Sequence, residues 1–175
     1  MYKAKIAGVG HYVPENIVTN NDLALLMDTD DEWIRERTGI EERRWVKEGD
    51  GNTAATMGIK AAQNAISQAG LEPNDIEHVV FATISPDYYF PGCGVQVQEA
   101  LGIRTAGATD VRNACSGFIY ALSVGNAFVQ TGMYKHVLVV ASELQSPFLD
   151  KTTRGRGVSV IFGDGAGAVV LSRAS

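Results

Sequence analysis

The residues best suited to chemistry lie in the stretch Asp110-Val111-Arg112-Asn113-Ala114-Cys115-Ser116-Gly117-Phe118. The run Ala108–Val111 reads as a short strand and Ser116–Thr131 as a helix, so Cys115 falls at the junction between them. Backbone N–H groups in the first turn of a helix lack intrahelical partners, and the helix dipole is positive there. A thiolate is stabilised in such a place and its pKa falls. The same N–H groups are suited to hold an oxyanion developing on an attacked carbonyl. Ala114, Ser116 and Gly117 are small and let a substrate backbone or a thioester come close. The competing reading is a buried small hydrophobe. Cys93, between Gly92 and Gly94, has no such setting and reads as structural.

Other signals are weaker. Gly8-Val9-Gly10 follows a strand, but Val13 stands where a dinucleotide fingerprint needs glycine, and Gly163-x-Gly165-x-Gly167 precedes a strand instead of opening a helix; both read as turn glycines. His11, His78 and His136 are far apart, without metal-ligand spacing, so no metal is expected. His78 and His136 each open a predicted strand and read as solvated. Arg35–Lys47 carries five basic and three acidic residues and reads first as a solvated face.

The elements that must position Cys115 follow from periodicity. Lys3–Val9 reads as a strand followed by a glycine-rich bend. Helix signals lie near Asn21–Met27, with Asn20 as N-cap, and near Asp30–Arg37, with Asp30 as N-cap. Asn52 or Thr53 caps a helix whose Ala55, Ile59, Ala62, Ile66 and Ala69 share one face, and Gly70 stops it. Val79–Ile84 and Val137–Ala141 are continuous apolar runs, as in strands covered on both faces. Gly94–Leu101 reads as a helix. Ser116–Thr131 is apolar nearly all round, which predicts a buried helix. Val158–Phe162 and Ala168–Leu171 read as an antiparallel pair turning on glycines. Alternating strands and helices imply an α/β fold in one compact unit without linkers.

Composition agrees. The 175 residues are 45% hydrophobic and 20% charged, with 15 basic and 20 acidic side chains for a net charge of −5. That excludes a disordered or collagen-like chain and disfavours nucleic acid as partner. Two cysteines without a CxxC pair point to a reducing, cytoplasmic location. No secretory signal is read after Lys3 and Lys5, and the uncharged stretch Asn113–Tyr134 carries too many polar residues for a membrane span.

With these motifs in view, the chain resembles a β-ketoacyl-acyl-carrier-protein synthase III of the thiolase-like superfamily. Four blocks match in order: Asp31-Glu32-Trp33-Ile34 with Arg37-Thr38-Gly39-Ile40 and Arg43; Asn113-Ala114-Cys115-Ser116-Gly117-Phe118; Thr153-Arg154-Gly155; and Phe162-Gly163-Asp164-Gly165-Ala166-Gly167-Ala168. The resemblance implies a thiolase-like half-fold: a mixed, mostly parallel sheet covered by helices, with a buried central helix starting at the cysteine. It implies that residues 1–175 are the N-terminal half and that the second half, with the family's histidine and asparagine, is absent. It further implies that Cys115 takes an acyl group from acyl-CoA for decarboxylative condensation with malonyl-acyl carrier protein, the isolated half being incomplete for condensation. Trp33 and Arg154 would sandwich the adenine of coenzyme A, Arg37 would meet its phosphates, and Phe90 would reach across a homodimer toward the partner's acyl pocket. Coenzyme A thioester would be substrate, with no permanently bound cofactor. Acyl carrier protein, and the C-terminal half or a second copy, would be partners. Arg112 and Asn113 replace the small residues usual before the cysteine. The alternatives are a secondary-metabolism ketosynthase, a hydroxymethylglutaryl-CoA synthase, or a non-catalytic acyl-CoA-binding module.

Overall fold

In the computed structural model, which describes residues 1–174, seven strands and six helices follow one another as β1 Ala4–Tyr12, β2 Ile17–Thr19, α1 Asn20–Ala24, α2 Asp31–Thr38, β3 Glu42–Arg44, α3 Ala54–Gln68, β4 His78–Ala82, α4 Cys93–Ala100, β5 Gly107–Val111, α5 Gly117–Thr131, β6 His136–Glu143, α6 Arg156–Ser159 and β7 Gly165–Arg173. The α/β expectation is met. Contacts divide the chain into two units, one of Met1–Tyr12, Thr53–Glu143 and the chain from Gly165 on, the other of Val13–Asn52 and Leu144–Asp164. Each unit is made of separated stretches, so no linker marks the division in the sequence.

The larger unit is a five-stranded sheet in the order β1-β7-β6-β4-β5. β4 pairs in parallel with both β5 and β6, while β7 runs antiparallel to β6 and β1. Every residue of β4 is buried, which is why its sequence is apolar without alternation. On one face Val80, Ala82, Val137, Val139, Val169 and Leu171 pack with Ala121 and Val129 of α5. On the other, Phe81 and Val140 meet α3 at Gly58, where a Cβ would lie 2.7 Å from the Phe81 ring. The sheet is thus the middle of three layers.

Several expectations are corrected. Gly8 and Gly10 lie inside β1, not in a bend: a Cβ at either would stand 2.2 Å from the carbonyl oxygen of Ala65 or Ala61. They let α3 rest on the strand through its alanines, a packing role a glycine scan mistakes for a turn. Gly165 and Gly167 likewise belong to β7. Val158–Phe162 forms no strand. Its first residues sit in α6, and β7 pairs with β1 and β6 instead. Helix α5 is covered on one face only: Gly117, Ala121, Gly125 and Val129 are buried, while Ile119 and Tyr120 are 63% and 54% exposed.

The smaller unit has β2 antiparallel to β3, with Val18, Leu23, Met27, Ile34, Trp45 and Val160 as its core. Thr19, not Asn20, caps α1 through a reciprocal pair with Asp22. Asp30 caps α2 by accepting from Trp33 N–H at 2.7 Å, and Gly39 ends it at φ +71°. Arg43, read as solvated, is 6% exposed and donates to the carbonyls of Val18 and Val160. Asp164 is 4% exposed and accepts from Val46 N–H, Gln145 N–H, and the N–H and hydroxyl of Ser146. Among the described residues no helix is long and apolar enough to cross a membrane.

His78 is 7% exposed, against the solvated reading. Its ring stacks on Tyr134 at 4.9 Å, meets Phe128 edge-on, and pairs through Nε2 with the Thr109 hydroxyl at 3.0 Å. Burial lowers its pKa from the ordinary value. The fold therefore favours the neutral ring, and its contribution is complete above the unfolded value of about 6.5 and lost as pH falls through the lower folded one. Urea midpoints should drop as pH is lowered from about 7.5 to about 5. A non-titrating His78→Gln chain should start less stable and decline less steeply. Parallel declines would count against this coupling.

Candidate active site

β5 and α5 are joined by a sharp turn. Asn113 has φ −125° and ψ 27°, and Ala114 has φ +48°, the one non-glycine residue with positive φ among those described. A side chain in the left-handed region costs roughly 1–2 kcal/mol. Here the neighbours enforce it: the Ser116 N–H and hydroxyl both donate to the Asn113 carbonyl, at 3.3 and 2.9 Å, and Gly117 N–H donates to the Ala114 carbonyl. The turn sets Cys115 in the 3-10 segment Ala114–Ser116, one step before α5, and leaves it exposed. Gly117 is buried against Ala82 of β4. No side chain caps the N-terminus of α5, whose first amide, Gly117 N–H, is taken by the Ala114 carbonyl. The helix starts two residues after the cysteine, not at it.

Cys93 differs in every respect. It is fully buried at the start of α4, and burial, the leading cause, pushes its pKa up to about 11.

In the smaller unit a second group of side chains gathers on Trp33. The indole is half-buried beside the buried Ile34. Arg37 lies over it at 4.5 Å from the ring centroid and also donates to the Trp33 carbonyl at 3.2 Å. Arg156 lies over the same ring at 4.8 Å, donates to the Asp28 carbonyl at 2.5 Å, and stands 3.8 Å from the Asp28 carboxylate. Asp28 N–H donates to the Thr153 hydroxyl, and the neighbouring Thr29 hydroxyl oxygen is buried without a partner. Two guanidinium groups on one indole are a stacking platform with cationic edges.

Of the residues singled out from sequence, Trp33 and Arg37 are brought together. Arg154 is not at the ring: its side chain is 88% exposed and its Nε donates to Asp150 at 2.7 Å. Hydrogen bonds from Thr152, then Arg154, hold the Asp150 carboxyl down to about 2. Arg156 was missed. The signal was present, since Arg154-Gly155-Arg156-Gly157 contains the Arg-Gly pair twice, and only the fold selects the second. Phe90 stands 87% exposed between Tyr89 and a cis-linked Pro91. A cavity of about 580 Å³ in the smaller unit is lined by Lys47, Glu48, Asp50 and Lys151 among others, but by neither Trp33 nor Arg156.

An exposed cysteine presented ahead of a sheet-packed helix, in a mixed sheet of this order, defines a thiolase-like α/β protein. The family model for 3-oxoacyl-[acyl-carrier-protein (ACP)] synthase III matches residues 109–175. A β-ketoacyl-[acyl-carrier-protein] synthase III of Vibrio vulnificus is 49% identical over 168 residues, 96% of this chain and 52% of that protein. The crystal structure of 3-oxoacyl-[acyl-carrier-protein] synthase III from Aquifex aeolicus superposes with a TM-score of 0.93 at 43% identity, covering 98% of this chain and 54% of that one. The priming β-ketosynthase of the R1128 polyketide pathway also reaches 0.93, at 36% identity, over 99% of this chain and 51% of its own. Over nearly its whole length the chain is similar to β-ketoacyl-[acyl-carrier-protein] synthases III, and it spans about half the length of the curated relatives it matches.

The contrast between the two cysteines is directly measurable. Brief alkylation of the folded protein with iodoacetamide near neutral pH should add one mass increment, mapping to Cys115. Cys93 should react only after denaturation. Equal labelling of both in the folded state would contradict the difference in burial.

Proposed function

We propose that this chain carries the acyl-accepting half-reaction of a β-ketoacyl-acyl-carrier-protein synthase III. The Cys115 thiolate attacks the thioester carbonyl of an acyl-CoA. The carbon–sulfur bond to coenzyme A then breaks, the coenzyme leaves as its thiolate and takes up a proton, and an acyl-cysteine remains. The single observation that carries this reading is the exposed Cys115 in a positive-φ turn before an uncapped helix. Amides there suit the transient oxyanion.

The Trp33 platform is the candidate coenzyme A contact. A flat adenine ring stacks on indole and guanidinium, and Arg37 suits the phosphates. Arg156 lies on Trp33 where the family resemblance implied Arg154, whose guanidinium is engaged by Asp150. Phe90, exposed on its loop, is the candidate contact to the acyl pocket of a second copy in a homodimer. The uncovered apolar face of α5 at Ile119 and Tyr120 fits a helix that the rest of the family's length would cover, with residues 1–175 as the N-terminal half. Condensation with malonyl-acyl carrier protein would draw on groups from that other half, since enolate stabilisation needs donors aimed at it. The location would be the cytoplasm and coenzyme A thioester the substrate, with no permanently bound cofactor. The equal structural likeness to a polyketide priming ketosynthase supports a second reading, in which the same acyl transfer primes secondary metabolism.

Incubation with acetyl-CoA should add an acetyl increment to the intact mass, absent in Cys115→Ala. An adduct that persists in Cys115→Ala, or no adduct in the unsubstituted chain, overturns the reading. Coenzyme A affinity, followed by Trp33 fluorescence in a Trp45→Phe background, should weaken about three- to tenfold in Arg156→Ala. It should change less in Arg154→Ala.

A further inference from the structure

Ser116 occupies the N-cap position of α5, with φ −93° and ψ 1°. Serine suits that position because its hydroxyl oxygen ordinarily accepts from an amide two or three residues further on. Three other caps of the chain behave in this way. Thr19, Asp30 and Thr53 accept from the N–H groups of Asp22, Trp33 and Thr56. Ser116 makes no such cap. Its hydroxyl turns backward and donates to the Asn113 carbonyl at 2.9 Å.

That bond closes a ring whose ends are Asn113 and Ser116 and whose middle is Ala114 and Cys115. The Ser116 N–H reaches the same carbonyl at 3.3 Å, long for an amide donor, so the hydroxyl is the tighter of the two ties. What the ring holds is Ala114 at φ +48°. A side chain in the left-handed region is disfavoured roughly five- to thirtyfold. One hydrogen bond shifts a local equilibrium by about two- to twelvefold, net of the water it replaces. The two effects are of similar size, so the hydroxyl decides how large a share of molecules keeps the turn. Without it, only the long Ser116 amide bond and the bond from Gly117 N–H to the Ala114 carbonyl remain to hold that dihedral.

We propose that Ser116 is a positioning residue for acyl transfer: its backward hydrogen bond holds the turn that presents Cys115, and the helix forgoes a cap for it. This rests on the reading of Cys115 as acyl acceptor. The hydroxyl acts through the backbone of the turn and takes no part in the chemistry at the sulfur. A residue that breaks a local rule without a local gain marks a place where another requirement prevails, and here that requirement is the left-handed alanine beside the cysteine.

The test compares initial rates of Cys115 acetylation by acetyl-CoA, followed by intact mass. Ser116 is exposed, so Ser116→Ala removes the hydroxyl without opening a core. It should react about three- to tenfold more slowly. Ser116→Thr keeps the hydroxyl and should stay within about twofold of the unsubstituted chain. Glycine adopts positive φ without the Cβ penalty, so in an Ala114→Gly background the further change Ser116→Ala should slow the reaction less than about twofold. Iodoacetamide needs an exposed thiolate but no oriented thioester, and should label Cys115 at similar rates in every variant. Circular dichroism and urea midpoints check folding. Should Ser116→Ala unfold, recovery of fold and rate in the Ala114→Gly double variant supports the same coupling, and failure to recover overturns it. An undiminished rate in Ser116→Ala, an equal loss in both backgrounds, a Ser116→Thr rate as low as that of Ser116→Ala, or a matching fall in iodoacetamide labelling overturns this inference and leaves the acyl-acceptor reading standing. No acetylation of the unsubstituted chain overturns both.

Discussion

One backbone conformation governs the larger unit. Ala114 sits in the left-handed region, inside the five-residue connection, 112–116, that turns the chain from the end of β5 into α5. The strain is held because both sides of the turn are anchored. β5 is fixed by its parallel pairing with β4, and Gly117 is pressed on Ala82. Strain at a functional position persists only where the surroundings over-determine it, and a sheet edge plus a buried helix start does that here.

The same economy recurs in how the layers close. Glycines at 8, 10, 58 and 125 stand where helices cross strands, and each would meet neighbouring atoms at 2.9 Å or less if it carried a Cβ. Close helix–sheet approach lets a chain of this size bury three layers around one sheet. It also explains the high glycine content that, in a linear reading, suggests turns.

The smaller unit follows a different logic. Its apolar core is modest, and buried polar groups stitch its segments together. Arg43 reaches carbonyls on β2 and beyond α6, while Asp164 gathers donors from residues 46, 145 and 146. A buried carboxylate with this many partners is costly to disturb, because removing it leaves several main-chain amides unpaired. These ties fix α2 and α6, and with them the indole and the two guanidinium groups stacked on it.

Much of this was legible in the amino-acid order. Local signals marked the continuous apolar strands, the cap at Asp30, a cap at Asn52 or Thr53 and the cysteine at a strand-to-helix junction, because hydrophobic period and cap chemistry act over a few residues. Three things needed the tertiary structure. Whether a glycine serves a turn or a helix crossing depends on what lies opposite, as at Gly8 and Gly10. Which arginine of Arg154-Gly155-Arg156 reaches Trp33 depends on the direction in which a short helix points its side chains. Whether His78 and Arg43 are wet or buried depends on partners distant in sequence. In each case the deciding energy is a contact between residues remote along the chain, and a linear pattern carries no record of it.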